Sequence, residues 1–255
     1  MPLMLGRKPK KFSPKTLTAT RWLSNVPPPP GRIWREWKVP ANAWGAYGNL
    51  TIGDCTLASK AHTMMMMTAH TGTMFIPEEA DIIAAYSAIS GYDPNATPDA
   101  NGNNPTDTGC AMTDVLNYWQ TTGIAGHKIL AWAAVNWMNP VQLAQSLYIF
   151  GCVDVGVNLP NSAMDQTNAG KAWDVVPDDG GIAGGHDVPI YGEGSLGNSC
   201  VTWGARQEIT NAWVQKYIEE AYVVITEDWL NHVSGLAPNM LDLDALNADL
   251  AALRA

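Results

Sequence analysis

One cysteine stands where a polar loop leads into a predicted helix, in the stretch GNLTIGDCTLASKAH from Gly48 to His62. Unpaired backbone N–H groups and the helix dipole favour negative charge in the first turn of a helix. A thiol in that turn ionises more readily, and the thiolate is the form that attacks a carbonyl. The position of Cys55 therefore predicts a nucleophile, with the alternative that a small apolar side chain simply fits there.

A nucleophilic cysteine needs a base within reach, and His186 has the most suitable context for that role. It lies in GGIAGGHDVPIYG, where four glycines keep side chains away from the approach to the imidazole. His186 follows Cys55 by about 130 residues, a separation that papain-type enzymes also show. The other histidines lie further along the helix of Cys55 or in undistinctive contexts: His62, His70, His127 and His232.

Asn49 lies six residues before Cys55 and is the predicted oxyanion donor. A turn between the two residues could direct the Asn49 side-chain N–H to the same point as the backbone N–H of Cys55. Such a donor pair stabilises the tetrahedral intermediate of acyl transfer. After the strand of His186, the stretch SCVTWGA at 199–205 predicts a second strand that ends in Trp-Gly.

Taken together, these pieces resemble the papain-like cysteine peptidases, and in particular a divergent branch of uncharacterised bacterial and phage proteins. The resemblance extends to TGIAGHKIL at 122–130 and EEAYVVITEDWL at 219–230, so it covers most of the chain. The motifs that carry it are Asn49 with Gly53-Asp54-Cys55-Thr56, Gly185-His186-Asp187-Val188, and Thr202-Trp203-Gly204.

This resemblance implies a two-lobed fold, with Cys55 on a helical lobe, His186 on a β-rich lobe and the cleft between them. It also implies that the ring of Trp203 shields the hydrogen bond of His186 from water, although Trp203 could equally be a core residue. A peptide or protein is the implied substrate, and we expect no cofactor. We expect no metal either, because the polar loop at 91–109 has Cys110 where an EF-hand needs its final glutamate.

The residue that orients the histidine is the main departure from the family pattern. The resemblance implies an asparagine two residues before Trp203, and this chain has Val201 there. An orienting group fixes the histidine tautomer and stabilises the imidazolium. Thr202, Asp187 or Asn198 could take this role, and the sequence does not choose among the three.

Helices predominate early in the chain and strands late, which predicts an α+β fold with a mostly antiparallel sheet. The segment 54–70 has no Gly or Pro and is rich in Ala and Met, so it predicts a helix that is buried on all sides. Further helices are predicted at 77–90, 111–121, 139–149, 208–217, 227–232 and 241–253. Strands are predicted at 128–134, 152–158, 186–192, 199–203 and 220–225.

The charge is distributed unevenly over the 255 residues. Residues 1–38 hold nine of the 15 Lys and Arg and one acidic residue, whereas the whole chain has a net charge of −9. The acidic body therefore argues against nucleic-acid binding, although the basic arm could contact nucleic acid or an acidic partner. Alternatively the arm is a solvated tail or a strap across the body, and Trp22, Trp34 and Trp37 favour docking.

We therefore predict a basic arm at 1–40, a papain-like domain at 41–236 and a C-terminal amphipathic helix at 237–255. No apolar run is long enough to span a membrane, and the N-terminus lacks a signal peptide's apolar region. These features predict a cytoplasmic protein, or a virion protein if the chain is phage-encoded. The four widely spaced cysteines are expected to be free thiols.

Two functions follow from the sequence. The first is a cysteine peptidase or amidase in which Cys55 attacks, His186 transfers the proton and Asn49 binds the oxyanion. A peptidoglycan amidase with the same two residues is a variant of it. The second is a weak or inactive papain-like scaffold that serves as a structural protein of a phage or bacterium, with an assembly partner in the virion.

Overall fold

The computed structural model of the protein describes residues 3–12, 16–26, 39–192, 197–227 and 243–254. The helices among them are α1 (Thr20–Leu23), α2 (Cys55–Thr71), α3 (Glu79–Ser90), α4 (Met112–Thr121), α5 (Pro140–Phe150), α6 (Asn161–Asn168), α7 (Asn211–Tyr217) and α8 (Leu243–Arg254). The strands among them are β1 (Leu17–Thr18), β2 (Ala131–Ala134), β3 (Val153–Pro160), β4 (Ile182–Gly192), β5 (Gly197–Thr202), β6 (Ala205–Thr210) and β7 (Ile218–Ile225).

The central helix α2 has the bounds that its sequence predicts to within one residue. It begins directly after Asp54 and ends at Thr71, and the following residue, Gly72, adopts a φ of +146° that L side chains rarely adopt. Its four consecutive methionines at 64–67 are all buried, so α2 is covered on every side. This burial places Cys55 at the inner end of a rigid element.

One sheet carries the strands in the order β1-β2-β7-β3-β4-β5-β6, and only β1 and β2 pair in parallel. Alternate residues of its strands join different cores, because successive side chains point to opposite faces. Trp132 and Tyr222 belong to the core that contains α2, while Ala133 and Val223 belong to the core on the other face. The prediction of a mostly antiparallel α+β fold is confirmed.

Strand β6 is the clearest difference from the sequence-based prediction, which began a helix at 208. Trp203 and Gly204 both have positive φ, at +47° and +76°, and turn the chain back so that β6 pairs along the whole of β5. This pairing outweighs local helix propensity, and the helix starts only after Thr210, whose side chain caps it. Helix α6 also lies in a segment where no element was predicted.

The described part of the N-terminal arm packs against the body. Trp22 is fully buried, and its Nε1 donates a hydrogen bond of 2.8 Å to Asp249 on α8. Trp34, Trp37, most of the helix predicted at 227–232 and the predicted boundary between 236 and 237 lie outside the described residues. Within the described ranges, no helix combines the length and apolar character needed to cross a membrane.

Candidate active site

Cys55 lies in the first turn of α2, and its side chain is sealed from solvent, since the residue is only 1 % exposed. Burial raises the pKa of the thiol well above its usual value, and the negative charges of Asp187 and Asp54 raise it further. The backbone N–H groups of Asp187 and Gly6 oppose this shift without reversing it. Burial therefore opposes the helix dipole at Cys55 in this structure, and the role of the thiol as a nucleophile stays a prediction.

His186 lies on β4, opposite Val157 of β3, and is fully buried. Its Nε2 lies 2.7 Å from Oγ1 of Thr202, whereas its Nδ1 has no hydrogen-bond partner. Burial, together with the positive charge of Arg7, lowers the pKa of His186 to about 3, so the ring is neutral at pH 7. When Nε2 donates to Thr202, Nδ1 keeps its lone pair, which is the form that a general base needs.

The three candidates for orienting His186 have different partners in the structure. Thr202 contacts the imidazole directly. The Asp187 carboxylate instead lies 2.9 Å from Nζ of Lys60, and the Asn198 amide donates to Asn211 at 2.9 Å. Thr202 faces His186 because it is the last residue of β5, where its side chain points to the face opposite that of Val201.

Trp203 covers one face of the His186 ring. The two ring centroids are 4.5 Å apart, and the planes are inclined by only 17°. The indole Nε1 donates a hydrogen bond of 3.0 Å to the carbonyl oxygen of Met4. Trp203 also packs in the core at 6.2 Å from Trp173, so it is a core residue as well, and its role in shielding the His186 hydrogen bond from water stays a prediction.

Asn49 is buried in the turn that leads to α2. Its Nδ2 donates to the carbonyl oxygen of Ile52 at 3.2 Å, and its amide also favours the charged form of Asp54. Burial nevertheless raises the pKa of Asp54 well above its usual value. In this structure the Asn49 amide therefore stabilises its own turn, and its role as an oxyanion donor stays a prediction.

Residues 4–8 of the N-terminal arm occupy the cleft between Cys55 and His186, and we call them the cleft segment. The backbone N–H of Cys110 donates to the carbonyl oxygen of Gly6 at 2.9 Å, and the carbonyl oxygen of Cys110 accepts the Lys8 N–H at 2.8 Å. On the other side, the Arg7 N–H donates to Gly185 O at 3.0 Å. The cleft segment is thus bound by main-chain hydrogen bonds at both walls, as an extended peptide would be.

Glycines make this close approach feasible. A Cβ on Gly6 would lie 1.7 Å from Gly53 O, and one on Gly109 would lie 1.9 Å from Gly6 O. A Cβ on Gly185 would lie 2.2 Å from Arg7 O. The glycines before His186 predict an open cleft wall. In the structure, the main chain of Arg7 lies against this wall at Gly185.

A buried charged cluster behind the site was missed in the sequence. Lys60, five residues after Cys55 on α2, forms ion pairs with Asp154 of β3 and with Asp187. Ser59 donates a further hydrogen bond to Asp154. The sequence does contain a signal for this cluster: Lys60 lies within a helix that is predicted to be buried on all sides, and a buried ammonium needs charged partners. The cluster ties the helix of Cys55 to the strand of His186.

The turn before Cys55 is held by the carboxylate of Asp107. Asp107 accepts the Gly53 N–H with both oxygens, at 3.0 and 2.9 Å, and accepts the Tyr86 hydroxyl at 2.5 Å. No group of three or more His, Cys, Asp or Glu side chains in the described part of the chain is arranged to hold a metal ion. The groups that the described residues bring to this site include a thiol, an imidazole and hydrogen-bond donors.

Replacing Thr202 by valine is expected to lower the free energy of unfolding by about 1–3 kcal/mol, because it leaves both buried nitrogens of His186 without a partner. Replacement by serine keeps the hydroxyl and is expected to cost clearly less. Urea denaturation at pH 7 measures both variants. A loss in the valine variant that does not exceed the loss in the serine variant would contradict a stabilising role of the Thr202 hydroxyl.

No family model and no curated protein sequence matches the chain. Among solved structures, xylellain, a cysteine protease from Xylella fastidiosa, is 14 % identical with a TM-score of 0.61, over 88 % of this chain and 97 % of that one. Digestive procathepsin L 3 of Tenebrio molitor larval midgut is 14 % identical with a TM-score of 0.49, over 88 % and 76 % of the two chains. A recombinant stem bromelain precursor is 12 % identical with a TM-score of 0.48, over 89 % and 78 %.

The similarity to xylellain covers nearly all of that protein, at an identity that supports conclusions about the fold alone. It agrees with the order of elements described above, in which a buried helix begins at the cysteine and an antiparallel sheet carries the histidine. The chain therefore has the fold of the papain-like cysteine proteases.

Proposed function

We propose that the protein is a thiol hydrolase of the cysteine peptidase or amidase type, with Cys55 as nucleophile and His186 as base. One observation carries the proposal: Nε2 of His186 lies 2.7 Å from Oγ1 of Thr202, and the next residue, Asp187, is close enough to the Cys55 thiol to shift its pKa. The free Nδ1 of His186 and the covering ring of Trp203 add support.

In the proposed reaction, the Cys55 thiol transfers its proton to Nδ1 of His186 as the sulfur attacks the carbonyl carbon of a peptide or amide. The oxyanion accepts the backbone N–H of Cys55 and the side-chain N–H of Asn49, which has to turn away from Ile52 O. His186 then returns the proton to the leaving amine as the C–N bond breaks. Water, deprotonated by His186, hydrolyses the acyl-enzyme and restores the thiol.

The arrangement seen here is not the reactive one. The buried thiol is not hydrogen bonded to the imidazole, and Gly6 lies directly over the sulfur. The cleft segment has to leave before a substrate can enter. His186, released from burial and from the charge of Arg7, then recovers a higher pKa and becomes a better base.

A peptidyl epoxide tests whether His186 activates Cys55. We expect the Arg7→Ala protein, in which the cleft segment is released, to form an adduct at Cys55 at pH 7, detected by peptide mass spectrometry, and the addition of His186→Ala to slow labelling by about 100-fold or more. Cys55→Ala is expected to give no adduct, and Cys200→Ala, which removes another buried thiol, to label normally. Equal labelling with and without the imidazole would contradict the proposed pair.

The second candidate is an inert scaffold, such as a structural protein of a virion or of a bacterium. The complete burial of the Cys55 sulfur favours it. On this alternative, Cys55→Ala leaves assembly unchanged and no variant that releases the cleft segment reacts with the epoxide. Reaction at Cys55 in such a variant would exclude it.

A further inference from the structure

We propose that the cleft contains a recognition pocket for an arginine side chain, built from Glu219, Glu220 and Asn158. This pocket selects peptide substrates that carry arginine at the place that Arg7 occupies in the structure. In the structure the protein's own Arg7 fills the pocket. The claim that the occupant is a substrate rests on the proposed function. The pocket itself is tested by measuring peptide binding, without any cleavage.

The cleft segment shows how a peptide lies in the cleft. Its main chain bonds to Cys110 on one wall and Gly185 on the other, and its Gly6 N–H faces the Cys55 sulfur. Main-chain contacts of this kind do not depend on which side chains the peptide carries. Selectivity must therefore come from the pocket that receives the next side chain, Arg7.

The pocket matches a guanidinium group. Nη1 of Arg7 lies 2.8 Å from Glu220 Oε1, and Nη2 lies 2.6 Å from Glu219 Oε2. Nη2 also donates to Asn158 Oδ1 at 2.9 Å and to Val157 O at 3.2 Å. The planar fork of arginine can satisfy these divergent acceptors together, whereas the ammonium of lysine is a single point charge.

The pocket is negative when Arg7 is absent. The carboxylates of Glu219 and Glu220 have then lost their common partner, and the Glu220 side chain is only 1 % exposed. Burial raises the pKa of Glu220, while Tyr222 and Arg7 act to lower it. A buried carboxylate without a counter-charge is costly, so the empty pocket favours a cationic occupant.

The floor of the pocket is shaped for the arginine stem. A Cβ on Gly156 of β3 would lie 2.8 Å from Cδ of Arg7 and 2.7 Å from Cγ of Glu220. The neighbouring residue Val157 pairs with His186, so the pocket and the proposed base belong to the same strand pair. The arginine side chain therefore enters at a fixed distance from the reacting atoms.

The test uses full-length Arg7→Ala protein and a synthetic peptide with the sequence of residues 3–9, LMLGRKP, added in trans. A second peptide has norleucine in place of arginine. We expect the arginine peptide to bind about 10- to 100-fold more tightly in isothermal titration calorimetry, as for hydrogen bonds to charged groups. Adding Glu219→Gln and Glu220→Gln to the Arg7→Ala protein is expected to remove that difference.

Arg7→Lys serves as a second background if Arg7→Ala does not fold, because its single ammonium keeps the charge but holds the pocket less well than the arginine fork, so the arginine peptide can displace it. Lys11→Ala is the matched control on the same arm, since Lys11 pairs with Asp114 in an exposed ion pair. Equal binding of the arginine and norleucine peptides would overturn the pocket. Preferential binding of the arginine peptide without cleavage would support the pocket and contradict the proposed hydrolase function. Cleavage without a preference for arginine would support the hydrolase function and contradict the pocket.

Discussion

Replacing Arg7 by alanine is expected to raise the rate at which iodoacetamide alkylates Cys55 by about 100-fold or more. The thiol is covered by Gly6, and Arg7 anchors that segment through a buried ion pair with Glu220. Removing one partner of a buried ion pair costs about 3–5 kcal/mol. A loss of that size in the docking of the cleft segment increases the population in which the sulfur is accessible.

Lys11→Ala provides the comparison for this experiment, because the Lys11–Asp114 pair is exposed and such pairs contribute about 0–1 kcal/mol. Alkylation is followed by peptide mass spectrometry at pH 8 under native conditions. The buried Cys152 and Cys200 serve as internal references, whereas Cys110 does not, because it is itself hydrogen bonded to the cleft segment. Equal acceleration at Cys55, Cys152 and Cys200 would indicate general unfolding instead of release of the cleft segment.

Replacing Lys60 by methionine is expected to lower the free energy of unfolding by about 3–5 kcal/mol. Burial alone would lower the pKa of Lys60, but the carboxylates of Asp154 and Asp187 raise it, so Lys60 is charged in the fold. Methionine fills a similar volume and leaves two buried carboxylates without their counter-ion. Urea denaturation at pH 7 measures the loss.

The loss is expected to shrink as the pH falls below 7. Burial and the charge of Asp154 raise the pKa of Asp187, and Lys60 opposes this, so its removal raises that pKa further. A carboxyl with a folded pKa above its unfolded value destabilises the fold at high pH, and protonation relieves that penalty as the pH falls. Asp187→Asn in the Lys60→Met background is expected to recover part of the stability. No recovery in the double variant would contradict this account.

Local sequence patterns predicted the elements that carry the site. The run from Cys55 to Thr71 contains no Gly or Pro, so helix propensity and burial agree there, and α2 forms as expected. Asn139 followed by Pro140 likewise predicted the start of α5, where the Asn139 side chain accepts two backbone N–H groups. Such signals depend on residues within one turn of each other and can be read without the fold.

Strand register was not readable in the same way. Whether Thr202 faces His186 depended on the register and facing of β5, and a shift of one residue would turn the Thr202 side chain to the other face of the sheet. The positive φ values of Trp203 and Gly204 set the β5–β6 hairpin, and with it the position of Thr202 beside His186.

The sequence by itself determined the α+β class, the cysteine at the head of the central helix and the histidine on a glycine-flanked strand, because each depends on neighbouring residues. The tertiary structure alone decided that Thr202 partners His186, that Lys60 joins Asp154 and Asp187, and that Arg7 reaches Glu219 and Glu220. Apart from the Thr202–His186 contact, these pairs join residues about 90 to 210 positions apart in the chain. Their meeting depends on strand order and burial, and no local pattern encodes either of these.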